Sequence, residues 1–356
     1  MDLAEIRIID THVHLWDPFT TPRKFGGTAK LSRYLPIPVD VAKKLAPKRD
    51  LEFTGDPTVY LSKYLPPDYR ADVADVSIDH FMHMEVEWAG KGPLAKADET
   101  KWLANLPTPD GLPLCGIIGS ADPAADRFSE LLDAHQAASP LFRGVRTMVG
   151  HHPDPGVRSF CKVEKALTAP AFLDGFGHLA ERGLSFDAWV YSHALPDVTA
   201  LAKRYPEVTI IIDHFGTPAG IFGPVGKHTG SNPSMRRELF LRWRDDFAEL
   251  AGNANVVAKC SGAMMPILGH PVPPRGTSTS VEELLDRIGP LVEHALQVFG
   301  TERMLWGSNF PLDRAITSIA NGVRAIAEAV TGNGGGQAEL EQVFRGTAQR
   351  VYRLAL

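Results

Sequence analysis

Two histidines separated by one residue, His12 and His14, stand at the end of the first predicted strand, shortly after Asp10. Side chains alternate between the two faces of a strand, so these three residues are expected to point the same way. Neutral imidazole is a good ligand for a divalent metal such as zinc, and a nearby buried carboxylate can orient it. The motif therefore predicts a metal-binding or catalytic pair, with two histidines that only form structural hydrogen bonds as the alternative.

Polar residues on two later predicted strands are further candidates for chemistry. On the second strand His83, Glu85 and Glu87 share one face, and if that face is turned toward the histidine pair, Glu85 is the preferred group for transferring protons. Exposure to solvent or ion pairing is the alternative for the other two. On the fifth strand Asp187 and Tyr191 share a face, and they are candidate substrate-binding groups.

Basic residues on two other strands could hold an anionic substrate. Arg143 and Arg146 lie three residues apart on the fourth predicted strand, so a regular strand turns only one of them into the site. A guanidinium there would bind a carboxylate through two parallel hydrogen bonds, while an ion pair with a neighbouring helix is the alternative. Lys259, at the end of the seventh strand, could contact an anion, although a lysine there is more commonly a rim charge.

The elements that position these residues alternate between strand and helix patterns along the chain. Short apolar runs predict eight strands, at residues 7–14, 76–86, 115–122, 142–149, 184–191, 208–216, 255–262 and 304–311. Amphipathic periodicity predicts helices, at residues 125–138, 170–182, 195–205, 236–250, 281–299, 315–330 and 337–354. Eight strand–helix units predict an α/β fold of the (β/α)8 TIM-barrel type.

Residues 1–356 are interpreted as one barrel domain with two irregular segments near its mouth. Residues 17–70, rich in Pro, Lys and Tyr, lack a strong period and are predicted to form an insertion over the barrel mouth after the first strand. Residues 263–280, which contain four prolines, are predicted to form a lid-like loop.

The composition of the 356-residue chain excludes several classes of protein. It is 44% hydrophobic and 22% charged, as in ordinary globular proteins, and the net charge of −5 without a long basic run argues against a nucleic-acid partner. No apolar stretch reaches the length of a membrane span. Cys115, Cys161 and Cys260 are too few for a disulfide framework, which favours a cytoplasmic location. The expected partner is a small-molecule substrate, with homo-oligomer formation left open.

Several motifs together resemble the amidohydrolase superfamily, within it the lactonase-like branch of the Amidohydrolase-2 family, which includes sugar-acid lactonases and 2-pyrone-4,6-dicarboxylate lactonase. The resemblance covers nearly the whole chain, and its motifs are IIDTHVHLWDP (8–18), YLPPDY (64–69), HMEVEW (83–88), FRGVR (142–146), SFDAWVYSHALPD (185–197), IIIDHFGTP (210–218) and ERMLWGSNFPLD (302–313). It implies a distorted (β/α)8 barrel whose site combines the HxH pair, a later strand histidine and a residue at the end of the eighth strand.

Carried over to this chain, the resemblance assigns His12, His14 and His214 to the site, and it favours Arg146 as the anion-binding arginine. Asp213 is expected to face away from the lumen, since it neighbours His214 on a strand. Where many relatives have an aspartate, the eighth strand has Asn309, which cannot accept a proton but can donate a hydrogen bond to a carbonyl oxygen.

Asp313 is a possible replacement carboxylate, although a helix N-cap is the preferred interpretation. One divalent ion, such as zinc on His12, His14 and His214, and metal-independent action both stay open. The predicted function is hydrolysis of a lactone or related cyclic ester of a small carboxylated or sugar-acid substrate by water attack. Decarboxylation or amide hydrolysis on the same scaffold, or a non-catalytic metabolite-binding protein, are the alternatives.

Overall fold

The computed structural model describes residues 3–34, 41, 44, 46–274 and 276–356. Parallel strands form one eight-stranded sheet in chain order, each strand paired with the next. The sheet nearly closes, because His14 N donates to Phe310 O at 2.8 Å and Asn309 N donates to His12 O at 2.8 Å. The predicted (β/α)8 barrel is confirmed. Its strands are β1 Ile8–Val13, β2 Ile78–Met84, β3 Leu114–Ser120, β4 Phe142–Met148, β5 Ser185–Trp189, β6 Ile210–Ile212, β7 Val256–Cys260 and β8 Met304–Trp306.

Helices pack around the strands and follow most of the predicted periodic segments. The longest correct prediction is residues 281–299, where the helix begins after a capping box between Ser280 and Glu283 and ends before Gly300, whose φ is 66°. The helices are α1 Gly26–Tyr34, α2 Lys48–Thr54, α3 Pro66–Asp72, α4 Ala97–Ala104, α5 Phe128–Ala138, α6 Pro170–Glu181, α7 Leu195–Arg204, α8 Pro233–Ala251, α9 Val281–Phe299, α10 Ile319–Gly332, α11 Gln337–Glu341 and α12 Thr347–Val351. Within the described ranges, no helix combines the length and apolar character needed to cross a bilayer.

The predicted terminal helix over residues 337–354 is present and ends at Val351. A π-helical turn, Gln342–Gly346, lies within it and joins α11 to α12. Gly346 lowers the local helix propensity. The Thr347 hydroxyl donates to Thr301 O at 3.0 Å, which fixes the chain beside β8 after the turn.

A small apolar cluster fills the barrel interior, separate from the main core between strands and helices. Ile9, Met82, Ile118 and Ile211 belong to it, and Tyr352 joins it from the chain after α12. Each fully buried side chain of this size contributes roughly 1.5–3 kcal/mol to folding. This packed layer forms the floor on which the polar residues at the carboxyl ends of the strands rest.

The segment at residues 17–70 contains α1, α2 and the start of α3, together with the 3₁₀ helix Pro57–Leu61. Trp16 and Tyr64 exchange backbone hydrogen bonds of 2.9 and 2.8 Å, which ties the two ends of the segment together. Residues 35–40, 42, 43 and 45 of this segment, and residue 275 of the segment at 263–280, lie outside the described residues.

Candidate active site

The three histidines predicted from sequence lie together at the carboxyl end of the barrel. The ring centroid of His12 is 4.9 Å from that of His14 and 4.6 Å from that of His214. All three side chains are buried. Gly262 makes room for His214, because a Cβ at this position would lie 2.4 Å from the imidazole Nδ1. Burial, with the positive charges of Arg146 and Lys259 nearby, lowers the pKa of His214 well below its usual value.

Asp10 does not orient these imidazoles, contrary to the sequence-based expectation. Its carboxylate accepts hydrogen bonds from the backbone amides of His12 and Ser308, at 3.1 and 2.8 Å, and from the Tyr69 hydroxyl at 2.7 Å. The pairing of β1 with β2 is irregular between Asp10 and Val13, so simple alternation does not apply there. Asp10 therefore holds the backbone that carries the histidines.

His14 is held by a hydrogen bond on each side of its ring. Nδ1 lies 3.0 Å from Met84 O, and because a carbonyl oxygen only accepts, Nδ1 carries a proton. Nε2 lies 3.2 Å from the side-chain amide of Asn309. Burial lowers the pKa of His14 well below its usual value, which favours the neutral ring with a lone pair on Nε2.

Asn309 connects His14 to a buried carboxyl group on Asp313. Its φ of 57° is in the left-handed region that asparagine tolerates, and its side-chain amide is 2.7 Å from Asp313 Oδ1. Burial raises the pKa of Asp313 to about 8. The preferred interpretation of Asp313 as a helix N-cap is wrong, because Ser318 caps α10 and Asp313 points into the protein instead.

Two proton arrangements satisfy this chain of three side chains. With the Asn309 NH2 toward an ionised Asp313, the amide oxygen faces Nε2 of a protonated His14. With the amide turned over, its NH2 donates to neutral His14 and its oxygen accepts from a protonated Asp313. In both arrangements His14 and Asp313 share a single proton. The orientation of the Asn309 amide therefore depends on which of the two residues carries it.

Asp213 lies inside the barrel, and the expectation that it faces outward is wrong. Strand β6 ends at Ile212, and His214 and Phe215 adopt φ values of 55° and 54°. Strand alternation therefore does not extend to Asp213 or His214. Asp213 Oδ1 is 3.2 Å from Lys259 Nζ and 3.7 Å from His12 Nδ1. Its other oxygen is 3.8 Å from Arg146 Nη1.

His12, Asp213 and His214 form a donor set of the kind that divalent metals accept. One ligand atom from each lies within 4.8 Å of the others. His12 Nδ1 and both Asp213 oxygens make no hydrogen bond within the described residues, although Lys259 approaches one of these oxygens. Three protein ligands with an open position are typical of catalytic zinc sites. The donors therefore fit a metal. The third ligand of this set is Asp213, where the sequence predicts His14.

The protein also supplies its own positive charges to this cluster. Arg146 Nη1 is 3.3 Å from His12 Nε2, and since a guanidinium only donates, this nitrogen accepts and Nδ1 carries the proton. Burial, with the charges of His214 and Lys259, lowers the pKa of His12 well below its usual value. In this state both Arg146 and Lys259 approach Asp213, so the cluster also has a metal-free arrangement.

Lys259 and Asp187, both predicted to bind substrate, are paired with each other. Lys259 Nζ donates to Asp187 Oδ1 at 2.5 Å, and the Tyr352 hydroxyl donates to the same oxygen at 2.7 Å. Burial raises the pKa of Asp187 to about 6, against the effect of Lys259. Both side chains are fully buried and neither lines the cavity described below. The structure places them beside Asp213 instead.

Arg146 and Glu85 form a buried ion pair at the edge of the cavity. Arg146 Nε and Nη2 lie 3.0 and 2.8 Å from Glu85 Oε1, and Nη2 also donates to the Glu85 carbonyl at 3.0 Å. His83 was expected to share a face with Glu85, but β2 ends at Met84. His83 instead faces Glu99 on α4, at 3.8 Å, and Glu87 pairs with Lys24 at 3.2 Å.

His14, His214, Glu85, Arg146 and Asn309 line a cavity of about 50 Å³ at the carboxyl end of the barrel. Sequence reasoning missed much of its wall, because Phe53, Tyr60 and Arg158 lie on segments without a regular period. Tyr191, predicted to bind substrate, lies outside this wall and donates its hydroxyl to Arg158 O at 2.6 Å. The lining residues are His14, Trp16, Phe53, Tyr60, Glu85, Val86, Glu87, Arg146, Met148, Arg158, Phe160, Trp189, His214, Met265, Asn309 and Leu312.

The chain is similar in sequence to a known protein family and to several known proteins. A family model described as Amidohydrolase matches residues 9–354. The uncharacterized protein y4mH of Sinorhizobium fredii (strain NBRC 101917 / NGR234) is 31% identical over 352 residues, which cover 99% of this chain and 100% of that protein. An L-fucono-1,5-lactonase of Burkholderia multivorans (strain ATCC 17616 / 249) is 28% identical over 295 residues, covering 82% of this chain and 88% of the lactonase.

The fold is also similar to that of solved structures. A crystal structure of an amidohydrolase from Burkholderia multivorans with bound HEPES has a TM-score of 0.70 and 22% identity, and the match covers 98% of this chain and 99% of that one. A second crystal form of an amidohydrolase from the same organism contains bound zinc and has a TM-score of 0.68 at 22% identity, with the same coverage. At this identity, the likeness concerns the fold.

Proposed function

The chain belongs to the amidohydrolase family and is a hydrolase, and from this premise we propose that it opens a lactone or related cyclic ester of a small molecule by attack of water on the acyl carbon. The observation that carries the proposal is the convergence of His14, His214, Glu85 and Asn309 on one cavity at the carboxyl end of the barrel. Catalytic groups of (β/α)8 enzymes collect at this end. The lactonase relative supports a cyclic ester as the substrate class.

Ester hydrolysis needs a group that accepts a proton from water and groups that stabilise the developing oxyanion. We assign proton transfer to Glu85, whose carboxylate lines the cavity and is fixed by Arg146. The side chains of His14, His214 and Asn309 line the same cavity, where His214 and the Asn309 amide can donate to the ester carbonyl. Asp313 holds the amide of Asn309, and the protonation of Asp313 is coupled to which amide atom the cavity presents.

We propose that the cluster works in one of two charge states, which metal analysis separates. His12, Asp213 and His214 would hold a divalent ion such as zinc, which when bound supplies Lewis-acid polarisation of the ester carbonyl. Without it, Arg146 and Lys259 are the cations that approach Asp213, and His214 and Asn309 contact the carbonyl directly. In both states Arg146 keeps Glu85 oriented.

We further propose that residues 1–356 act as one domain, with residues 17–70 and 263–280 over its mouth, and that the enzyme is cytoplasmic. Phe53 and Tyr60 from the first segment, and Met265 from the second, line the cavity, which supports this role for both segments. Cys115, Cys161 and Cys260 are all unpaired, which supports a reducing compartment.

A panel of sugar-acid and carboxylated lactones, followed by acid release at constant pH, tests the proposed function. The expected result is turnover of at least one lactone, lost by 10²-fold or more in His12→Ala, as is usual when a catalytic imidazole is removed. The matched control is His178→Ala, because His178 is a half-exposed histidine on α6 that pairs with Glu181 far from the cavity. Its turnover should equal that of the wild type.

Elemental analysis of the same preparations separates the two charge states. Stoichiometric zinc that is lost in His12→Ala would support the metal-bound state, and full turnover of metal-free protein would support the other. A panel in which no lactone opens, with the wild type folded, would overturn the proposed function. Equal turnover in wild type and His12→Ala would remove the histidine cluster from the reaction.

A further inference from the structure

Arg158 and Arg146 both line the cavity, but their guanidinium groups differ in the hydrogen bonds that they make within the protein. The Arg146 side chain donates hydrogen bonds to Glu85 and His12. The Arg158 side chain makes no hydrogen bond within the described part of the chain, and its nearest carboxylate oxygen, on Asp50, is 3.5 Å away. Its side chain is 29% exposed. The donors of Arg158 are therefore available to a molecule in the cavity.

Two aromatic rings hold this guanidinium in place without using its donors. Arg158 Cζ lies 4.8 Å from the ring centroid of Phe160 and 5.3 Å from that of Phe53. The backbone is fixed as well, because the Tyr191 hydroxyl donates to Arg158 O at 2.6 Å. These ring contacts use none of the N–H donors, and free guanidinium donors can bind a carboxylate through two parallel hydrogen bonds.

The other charges of the cavity wall already have partners. Glu85 is paired with Arg146, and Glu87 with Lys24 at 3.2 Å. An anionic group that enters the cavity therefore meets Arg158, whose guanidinium makes no hydrogen bond within the described residues and only a 3.5 Å ion pair with Asp50. A neutral ligand would leave this guanidinium without any hydrogen-bond acceptor from the protein while displacing the water around it, which is unfavourable.

Resting on the function proposed above, we infer that Arg158 binds a carboxylate of the substrate, and that the substrate is a cyclic ester carrying this carboxylate on a flat, largely apolar ring. The ring class follows from the wall, where Trp16, Phe53, Tyr60, Phe160 and Trp189 supply aromatic surface. Flat rings pack well on such surface. The carboxylate on Arg158 would then orient the ring while the ester carbonyl faces the histidines.

Binding of benzoate and benzamide tests the carboxylate subsite without any turnover. The two probes have the same ring and differ in the charge of one small group. Calorimetry on the wild-type protein should show tighter binding of benzoate, and Arg158→Gln should weaken benzoate by about tenfold or more while leaving benzamide unchanged. Arg158→Lys keeps the charge without the planar fork, so it should recover part of the loss.

The matched control is Arg204→Gln, because Arg204 also lies over an aromatic ring, that of Tyr205, but on the exposed surface of α7. Its benzoate affinity should equal that of the wild type. Equal affinity of the wild type for both probes, or equal weakening of both by Arg158→Gln, would overturn the inference. Arg158-dependent benzoate binding in a protein that opens no lactone would instead reject the proposed function and leave the subsite standing.

Discussion

Two buried arginine–glutamate ion pairs lie near the end of β2, one inside the barrel and one outside it. The inner pair, Arg146 and Glu85, borders the cavity and also contacts His12. The outer pair, Arg23 and Glu99, lies between β2 and α4, where Arg23 Cζ is 4.8 and 5.1 Å from the ring centroids of Trp88 and Trp102. The two pairs have the same chemistry in different surroundings.

The difference shows that burial and charge alone do not identify a catalytic group. Arg23 donates to the Val86 carbonyl and to Thr21 as well as to Glu99, so its Nε and Nη1 hold three segments together. Arg146 places its partner at the edge of a cavity that also contains His14 and His214. We therefore expect the inner pair to govern turnover and the outer pair to govern stability.

Glu85→Gln should break the inner pair and produce the largest effect on activity. The amide keeps the size of the side chain but cannot accept a proton, so kcat should fall by about 10²–10⁴-fold. Because the site borders a cavity that admits water, the variant should remain folded. Steady-state kinetics on the lactone found in the panel, with circular dichroism as a check of folding, measure both. Unchanged kcat would remove Glu85 from proton transfer.

Glu99→Gln should break the outer pair and act on stability. Removing one partner of a buried ion pair leaves an uncompensated charge, which typically costs about 3–5 kcal/mol of the free energy of unfolding. Turnover per folded molecule should stay close to that of the wild type. Urea denaturation measures the loss, with Glu130→Gln as control, because the Arg127–Glu130 pair is exposed and its removal should have no measurable effect. A stable but inactive Glu99→Gln protein would contradict this division.

Asp313→Asn should sharpen the contrast by showing how a buried carboxyl group without a cation behaves. Burial raises the pKa of Asp313 to about 8, above its value in the unfolded chain, so the folded state retains a proton that the unfolded state releases. The wild type therefore loses stability from this group as pH rises from about 4 to 8, and the variant does not. The Tm of Asp313→Asn relative to that of the wild type should therefore rise between pH 5 and pH 8. Parallel Tm curves would show that Asp313 is ionised throughout.

Tyr191→Phe should have the smallest effect of this series. It removes the hydroxyl that donates to Arg158 O, a contact worth about 1 kcal/mol, and leaves the ring in place. Looser placement of Arg158 should raise KM a few-fold with little change in kcat. Kinetics at saturating and low substrate separate the two parameters. A large fall in kcat would give Tyr191 a direct role that its position outside the cavity wall does not suggest.

The sequence predicts regular elements well where local signals agree with packing. Residues 281–299 combine helical periodicity with helix-ending glycine, and the helix has these bounds. The predicted strand at 208–216 shows the limit, because β6 ends at Ile212 and the next residues turn through left-handed conformations. Alternation therefore gave the wrong side for Asp213. No local pattern signals a backbone that departs from a strand at its catalytic end.

The candidate site shows the same division between regular and irregular segments. The HxH motif predicts His12 and His14, the family resemblance adds His214, and the structure brings the three together. The partnering of Lys259 with Asp187 depends on contacts between distant strands, which periodicity does not report. Arg158 lies on a loop after β4, and two aromatic rings hold its guanidinium. One of them, Phe53, lies 105 positions earlier in the chain.

The central claim, that water attacks the acyl carbon of a cyclic ester under the control of the inner ion pair, is tested most directly by oxygen labelling. The lactone found in the panel is hydrolysed in H2¹⁸O and the product acid is analysed by mass spectrometry. We predict one ¹⁸O atom in the new carboxylate with the wild type and, over the same time, almost no labelled product with Glu85→Gln. Label in the new hydroxyl group, or equal labelling by both proteins, would contradict the claim.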